Sequence, residues 1–213
     1  MLKSKPELIN NLTELELLAL ISSASVKRDD KTFKTLVTCY TKNKMNTLLL
    51  YEAVLQTYLF AGYPSALVSL KNLTEIFQPL KFPKPDKRSK LKITRDGKKS
   101  CKMIYGDSYD KLVSNIKSFS PELSQWFIEE GYGKVLSRNL LSLKKRELLI
   151  CSVLASLKYA DQLFSHLRGA VRLGNNITGI KKILSNLKII NQKRSAEFGI
   201  ILLNKYLVSK SRE

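Results

Sequence analysis

The chain carries one histidine, His166, so proton transfer by an imidazole near neutral pH has a single place to occur. A lone histidine also serves as a satisfied core residue, and its type leaves both readings open. Glu52 lies in the run Leu48 to Ala61, which is apolar nearly all round. A carboxylate there is costly unless paired, which marks Glu52 as a pocket or interface residue. Glu147 opens a second apolar run. A negative charge at that point favours the helix dipole and can pair with a lysine, so its role is open between structural and catalytic. The three cysteines, Cys39, Cys101 and Cys151, are odd in number and far apart. They exclude a disulfide framework and the usual Cys-rich zinc patterns, and one histidine excludes a multi-His metal site. Cys39 and Cys151 lie on apolar helices and read as small buried hydrophobes. Cys101 lies among cations that would lower its pKa.

These residues must be positioned by helices. Thr13 followed three residues later by Glu16 reads as a capping box opening a helix through about Ser25. A second helix covers Lys31 to Asn43, and Leu48 to Ala61 is a buried one. Gly62-Tyr63-Pro64 breaks it before Ser65 to Phe77 resumes helical spacing. Asp107 to Ile116 is helical, and Ser120 before Pro121 caps a helix over Glu122 to Glu130. Gly131-Tyr132-Gly133 reads as a turn. Ser142 caps a helix with Leu149, Ile150, Val153, Leu154 and Leu157 on one stripe. Asp161 is placed to cap the next helix, which Gly174 ends. Ile180, Ile183, Leu184, Leu187 and Ile190 share a face of a further helix, and a last one runs over Ser195 to Val208. No stretch alternates with period two, so the expected class is all-α.

Composition narrows the function. The 213 residues are 44% apolar, enough for one sizeable core or two small packed repeats. No stretch approaches the roughly 20 uninterrupted apolar residues of a membrane-spanning helix. Met1 to Ile9 lacks the apolar run of a secretory signal, and the unpaired cysteines suit a reducing cytoplasm. Lys plus Arg is 37 and Asp plus Glu is 18, a formal charge of +19. The densest cluster, Lys81 to Lys102, holds ten basic residues beside Pro83, Pro85 and Gly97. It reads as a basic connector over 81–104 rather than a groove-reading helix. With no zinc finger, no RNA-recognition strand motif and no aromatics interleaved among the cations, the charge argues for a lysine-biased surface over a nucleic-acid site. Such a field still draws in small anions.

The two halves also resemble each other. Glu16 to Ser25 parallels Glu147 to Ser156 at an offset of 131, and Phe33 then falls on Phe164. After a slip of one, Asn46 falls on Asn176. Two helical units of like design would bury their apolar faces against each other.

An ordered set of motifs carries a wider resemblance. Tyr105-Gly106-Asp107-Ser108-Tyr109 is followed by Glu130-Gly131-Tyr132-Gly133 with Arg138, by Leu141-Ser142 with Arg146, and by His166 with Ala170 and Gly174. Upstream, Glu52 leads to Phe60-Ala61-Gly62-Tyr63-Pro64. In this set the chain resembles the carboxymuconolactone decarboxylase family, which shares its helical fold with alkylhydroperoxidase D. The order of the motifs implies two tandem units: a start-truncated one over 1–80 and a second over 105–213, joined by 81–104. In the peroxidase branch a Glu and a His flank a Cys-x-x-Cys pair, and Glu147 and His166 match its 19-residue spacing. The cysteine positions fall on Tyr159 and Gln162, so the resemblance speaks against thiol peroxidase chemistry.

The decarboxylase branch implies a carboxy-lyase acting on a small anionic lactone or carbonyl compound, with no cofactor. His166 would be the proton donor, with Glu147 and Glu52 as catalytic acids. Arg146 and Arg138 would hold the substrate carboxylate, and Tyr132 would wall the pocket. Lys182 stands at the second unit's counterpart of Glu52. That change and the lost cysteines support an alternative: a catalytically idle member retained as an oligomeric scaffold or ligand binder. The resemblance also implies a homotrimer, with a hexamer or dimer as alternatives. A semi-enclosed pocket holding His166 and one of these acids or Arg146 is expected.

Overall fold

The computed structural model describes residues 6–77 and 82–211, and among these every regular element is helical. The first half comprises α1 (Pro6–Asn10), α2 (Glu14–Val26), α3 (Asp30–Lys42), α4 (Thr47–Leu55) and α5 (Tyr58–Ile76). The middle comprises α6 (Lys90–Tyr105), α7 (Tyr109–Phe119), α8 (Pro121–Trp126) and a π-helical segment, Phe127–Leu136. The last part comprises α9 (Leu143–Leu157), α10 (Ala160–Arg172), α11 (Ile177–Asn186) and α12 (Lys193–Lys210).

Side-chain caps set most of the helix starts. Thr13 and Glu16 form the expected capping box, with Glu16 Oε2 accepting from the Thr13 backbone N–H at 2.9 Å. Ser120 accepts from the Leu123 N–H at 3.1 Å, with Pro121 as the first helical residue. Ser142 accepts from the Lys145 N–H at 3.4 Å. Each supplies an oxygen to a donor that the helix itself cannot satisfy.

The centre of the molecule is the contact of α2 with α9. Every residue of α2 from Glu16 to Val26 is buried, and so is every residue of α9 from Arg146 to Ser156. Small residues let the two helices approach, and the Ser23 and Ser152 hydroxyls hydrogen-bond at 2.6 Å. Around this pair, α2 packs on α3, α4 and α5, α3 on α5, and α4 on α5. Correspondingly, α9 packs on α10, α11 and α12, α10 on α12, and α11 on α12. One continuous apolar core runs through both sets.

Four local expectations need correction. The described part of 81–104 is not a connector throughout. Residues 82–89 are irregular, but Lys90–Tyr105 is α6, which packs on the π-helical segment and on α10. Its lysines face solvent while Gly97, Ser100, Cys101 and Ile104 are buried on the other side. Residues 78–81 of the expected connector lie outside the described residues. Gly131-Tyr132-Gly133 is no turn but part of the π-helical segment. A Cβ on Gly97 would lie 2.3 Å from the Ile128 carbonyl oxygen, and one on Gly133 2.6 Å from that of Ile93. Glycine at both positions thus allows the two backbones to touch.

Likewise, α4 stops at Leu55 rather than Ala61, and Gln56 and Thr57 are fully buried where the chain redirects. The break at Gly62 survives as a kink inside α5, where φ of +74° suits glycine. Asp161 lies in the first turn of α10 but does not cap it; the cap position is Tyr159, whose side chain makes no capping bond.

Candidate functional site

Arg146 and Glu147 are consecutive in the first turns of α9, so their side chains project about 100° apart around its axis. They consequently enter two separate clusters. The first joins α4 to the start of α9. Arg146 donates to Glu52 Oε2 at 2.6 Å, to Gln56 Oε1 at 3.1 Å and to the Leu141 carbonyl at 3.0 Å. Arg138 grips the same carboxylate from the other side, Nε to Oε1 at 2.8 Å and Nη2 to Oε1 at 2.7 Å. Glu52 and Arg146 are fully buried, while the Arg138 side chain is 18% exposed. Burial pulls the Arg146 guanidinium below its ordinary pKa, and Glu52 opposes that. The hydrogen bond to Glu52 raises that of Arg138. Two guanidiniums against one carboxylate leave one positive charge in excess.

The second cluster joins α9 to α10. His166 Nδ1 lies 2.9 Å from Glu147 Oε2, the pairing that the 19-residue spacing suggested. Glu147 is fully buried and its Oε1 has no partner among the described residues. Gly169 makes this closeness possible, because a Cβ there would sit 2.9 Å from Glu147 Oε2 and 2.6 Å from the Ile104 side chain. The His166 side chain is 7% exposed, and its Nε2 has no hydrogen-bond partner among the described residues. Aromatic rings frame it: Tyr105 at 6.1 Å and Phe60 at 6.3 Å between ring centres. Tyr132, from the π-helical segment, donates its hydroxyl to that of Tyr105 at 3.0 Å. Burial drives both phenols well above their ordinary pKa.

The structure thus brings His166 and Glu147 together, with Tyr132 one ring behind. Glu52, Arg138 and Arg146 form the other cluster. Of the residues in these clusters, Gln56 and Gly169 had no expected role, and Phe60 and Tyr105 entered only as parts of motifs. Gly169 carried a signal, since it lies three residues after His166 and so on the same helical face.

Two clefts stand out on the surface, and neither holds the set expected around His166. A cleft of about 930 Å³ opens between α6, the irregular segment at 82–89 and the loop at 137–142. It includes Arg138 but not His166, Glu147, Glu52, Arg146 or Tyr132. A smaller cleft between α10 and α12 does not include them either. Consecutive positions on α9 send Arg146 and Glu147 to different sides, so one hollow does not collect both. Cys101 is corrected: it is fully buried in α6, and burial, with the charge of Glu147, raises its thiol pKa instead of lowering it. Cys151 is buried and raised for the same reasons. Lys182 pairs with Glu16 at 2.8 Å.

Among the described residues no group of three His, Cys, Asp or Glu side chains is placed to hold a metal ion. No described helix is long and apolar enough to cross a membrane. No family model matches the chain. Over 131 residues it is 28% identical to Peroxisomal protein 2 of Schizosaccharomyces pombe, a match covering 59% of this chain and 60% of that protein. The chain therefore spans about 60% of the length of the relative it matches.

Proposed function

We propose that the chain is a carboxymuconolactone-decarboxylase-like protein that moves a proton at His166 Nε2, as a carboxy-lyase on a small anionic lactone or carbonyl compound. The observation that carries this reading is the Glu147–His166 pair at 2.9 Å, with the Tyr105 ring beside the imidazole. Glu147 accepts the Nδ1 proton and fixes the ring, which makes Nε2 the working nitrogen. In the reaction, the substrate carboxylate leaves as carbon dioxide and its bonding pair stays on carbon, delocalised into the carbonyl. That carbon takes the proton from Nε2 of the doubly protonated ring, and water restores it. The Tyr105 hydroxyl, kept protonated by burial and accepting from Tyr132, can donate toward the developing negative oxygen.

The test is a panel of carboxylated lactones and β-keto acids in deuterium oxide, followed by NMR for carbon dioxide loss and deuterium uptake. Wild-type turnover should fall at least ~100-fold in His166→Ala, the usual worth of a positioned acid. Unchanged turnover in that variant would remove the reading.

A second reading, an idle scaffold or ligand binder, is favoured by one feature: Arg138 and Arg146, expected to anchor a substrate carboxylate, are both engaged by Glu52. It predicts no turnover across the panel in the wild-type protein. A homotrimer is part of either reading, and light scattering giving three times 24.2 kDa would support it. Location is proposed on the same footing. A fluorescent fusion separates the cytoplasm, expected from the unpaired cysteines, from the peroxisome in the relative's name.

A further inference from the structure

We infer that the cleft between α6, the segment at 82–89 and the loop at 137–142 is a binding site for a small anionic amphiphile: a charged head on a compact apolar body. The cleft's volume, about 930 Å³, is in the range of roughly 300–1,000 Å³ that small-molecule sites occupy.

Its apolar part is unusual for a solvent-facing surface. Phe82, Met103 and Leu140 are 62%, 45% and 41% exposed, and all three line this one concavity. Phe82 is held edge-on against Tyr51, with ring centres 5.8 Å apart. Converging exposed apolar side chains gain free energy by covering one another with a ligand's apolar body.

Its charge selects the head group. The two acids in the wall are already engaged: Arg88 bonds Asp86 at 2.7 Å and Asp96 at 3.1 Å. The Arg88 guanidinium also donates to Ser137 and to the Gly133 carbonyl, so it pins the segment to the π-helical segment and leaves no acidic lure for a cation. Lys84 and Lys99 line the cleft with no ion-pair partner among the described residues. Deeper in, Arg138 belongs to the cluster that carries one excess positive charge. The Asp86 carboxylate also acts on Arg138, so the head group is held chiefly by Lys84 and Lys99. The site stands apart from His166, so it holds or fails independently of the proton-transfer reading.

Calorimetric titration of the intact chain tests this with three probes: octyl phosphate, inorganic phosphate and octanol. Octyl phosphate should bind saturably at one site per chain. Inorganic phosphate should bind at least tenfold more weakly, and octanol should give no saturable signal. The double variant Lys84→Glu/Lys99→Glu should weaken octyl phosphate at least tenfold, with an unchanged far-ultraviolet circular dichroism spectrum. Met103→Asp should weaken it through the apolar wall, and His166→Ala should leave it unchanged. The inference is overturned if octyl phosphate does not saturate, if octanol binds as well, or if the charge-reversed variant binds as tightly as the wild type.

Discussion

Glu52 is the one carboxylate that two guanidiniums share inside the protein, so its removal does more than delete a hydrogen bond. Glu52→Gln keeps the shape but leaves Arg146 buried without a counter-charge. Breaking a buried pair in this way costs about 3–5 kcal/mol. Urea unfolding of this variant should show a loss of that size, and Arg138→Gln a smaller one, because the Arg138 side chain is partly exposed. The residue type announced half of this: a carboxylate in an apolar helix needs a partner. The partner could not be read, because Arg138 lies 86 residues away and only the packing of α4 against the start of α9 brings it near. Asp86 gives a second outcome at this scale. The hydrogen bond from Arg88 draws its pKa down to about 2. A depressed folded-state pKa stabilises above the unfolded value of about 4, and that contribution disappears as pH falls toward 2. Its side chain is 25% exposed, so the effect is modest. Acid titration followed by circular dichroism should show a step between those pH values that is missing in Asp86→Asn.

Among the elements, α6 departs furthest from what the sequence suggests, and the cause is physical. Its lysines and the nearby Pro83 and Pro85 suggested a connector, yet Gly97, Ser100, Cys101 and Ile104 repeat at helical spacing on one face. Charge density masked periodicity. The π-helical segment was hidden for a related reason, since Gly131 and Gly133 suggested a turn. Gly133 instead serves close packing, which a single sequence does not distinguish from turn formation. Gly97→Ala tests that packing. The added methyl would meet backbone atoms of the π-helical segment at 2.3 and 2.9 Å, and backbone does not rotate aside. The loss should reach the upper end of the roughly 1–3 kcal/mol typical of overpacking, read as a lower midpoint in urea. Gly131→Ala, where a Cβ meets nothing within 4 Å, is the matched control. Capped helices were the legible ones: Thr13, Ser120 and Ser142 all hold the positions their types suggested.

For the molecule as a whole, helical periodicity and the absence of period-two alternation were enough to give an all-α class. How the halves meet was less legible, because apolar stripes say which face is buried and not against what. Among the described residues three ion pairs reach across, two of them on Glu52. Glu52 on α4 meets Arg146 at the start of α9, and Lys182 on α11 meets Glu16 at the start of α2.

The complete burial of Glu16–Val26 in α2 and of Arg146–Ser156 in α9 has a consequence for biosynthesis. While the ribosome has delivered only the first five helices, the eleven residues from Glu16 to Val26 lack the surface that later covers them. Folding should therefore be deferred until α9 has emerged, with chaperones shielding the early half. Protease digestion of chains arrested before and after residue 157 would reveal it: the shorter should be cut freely within α2, the longer protected.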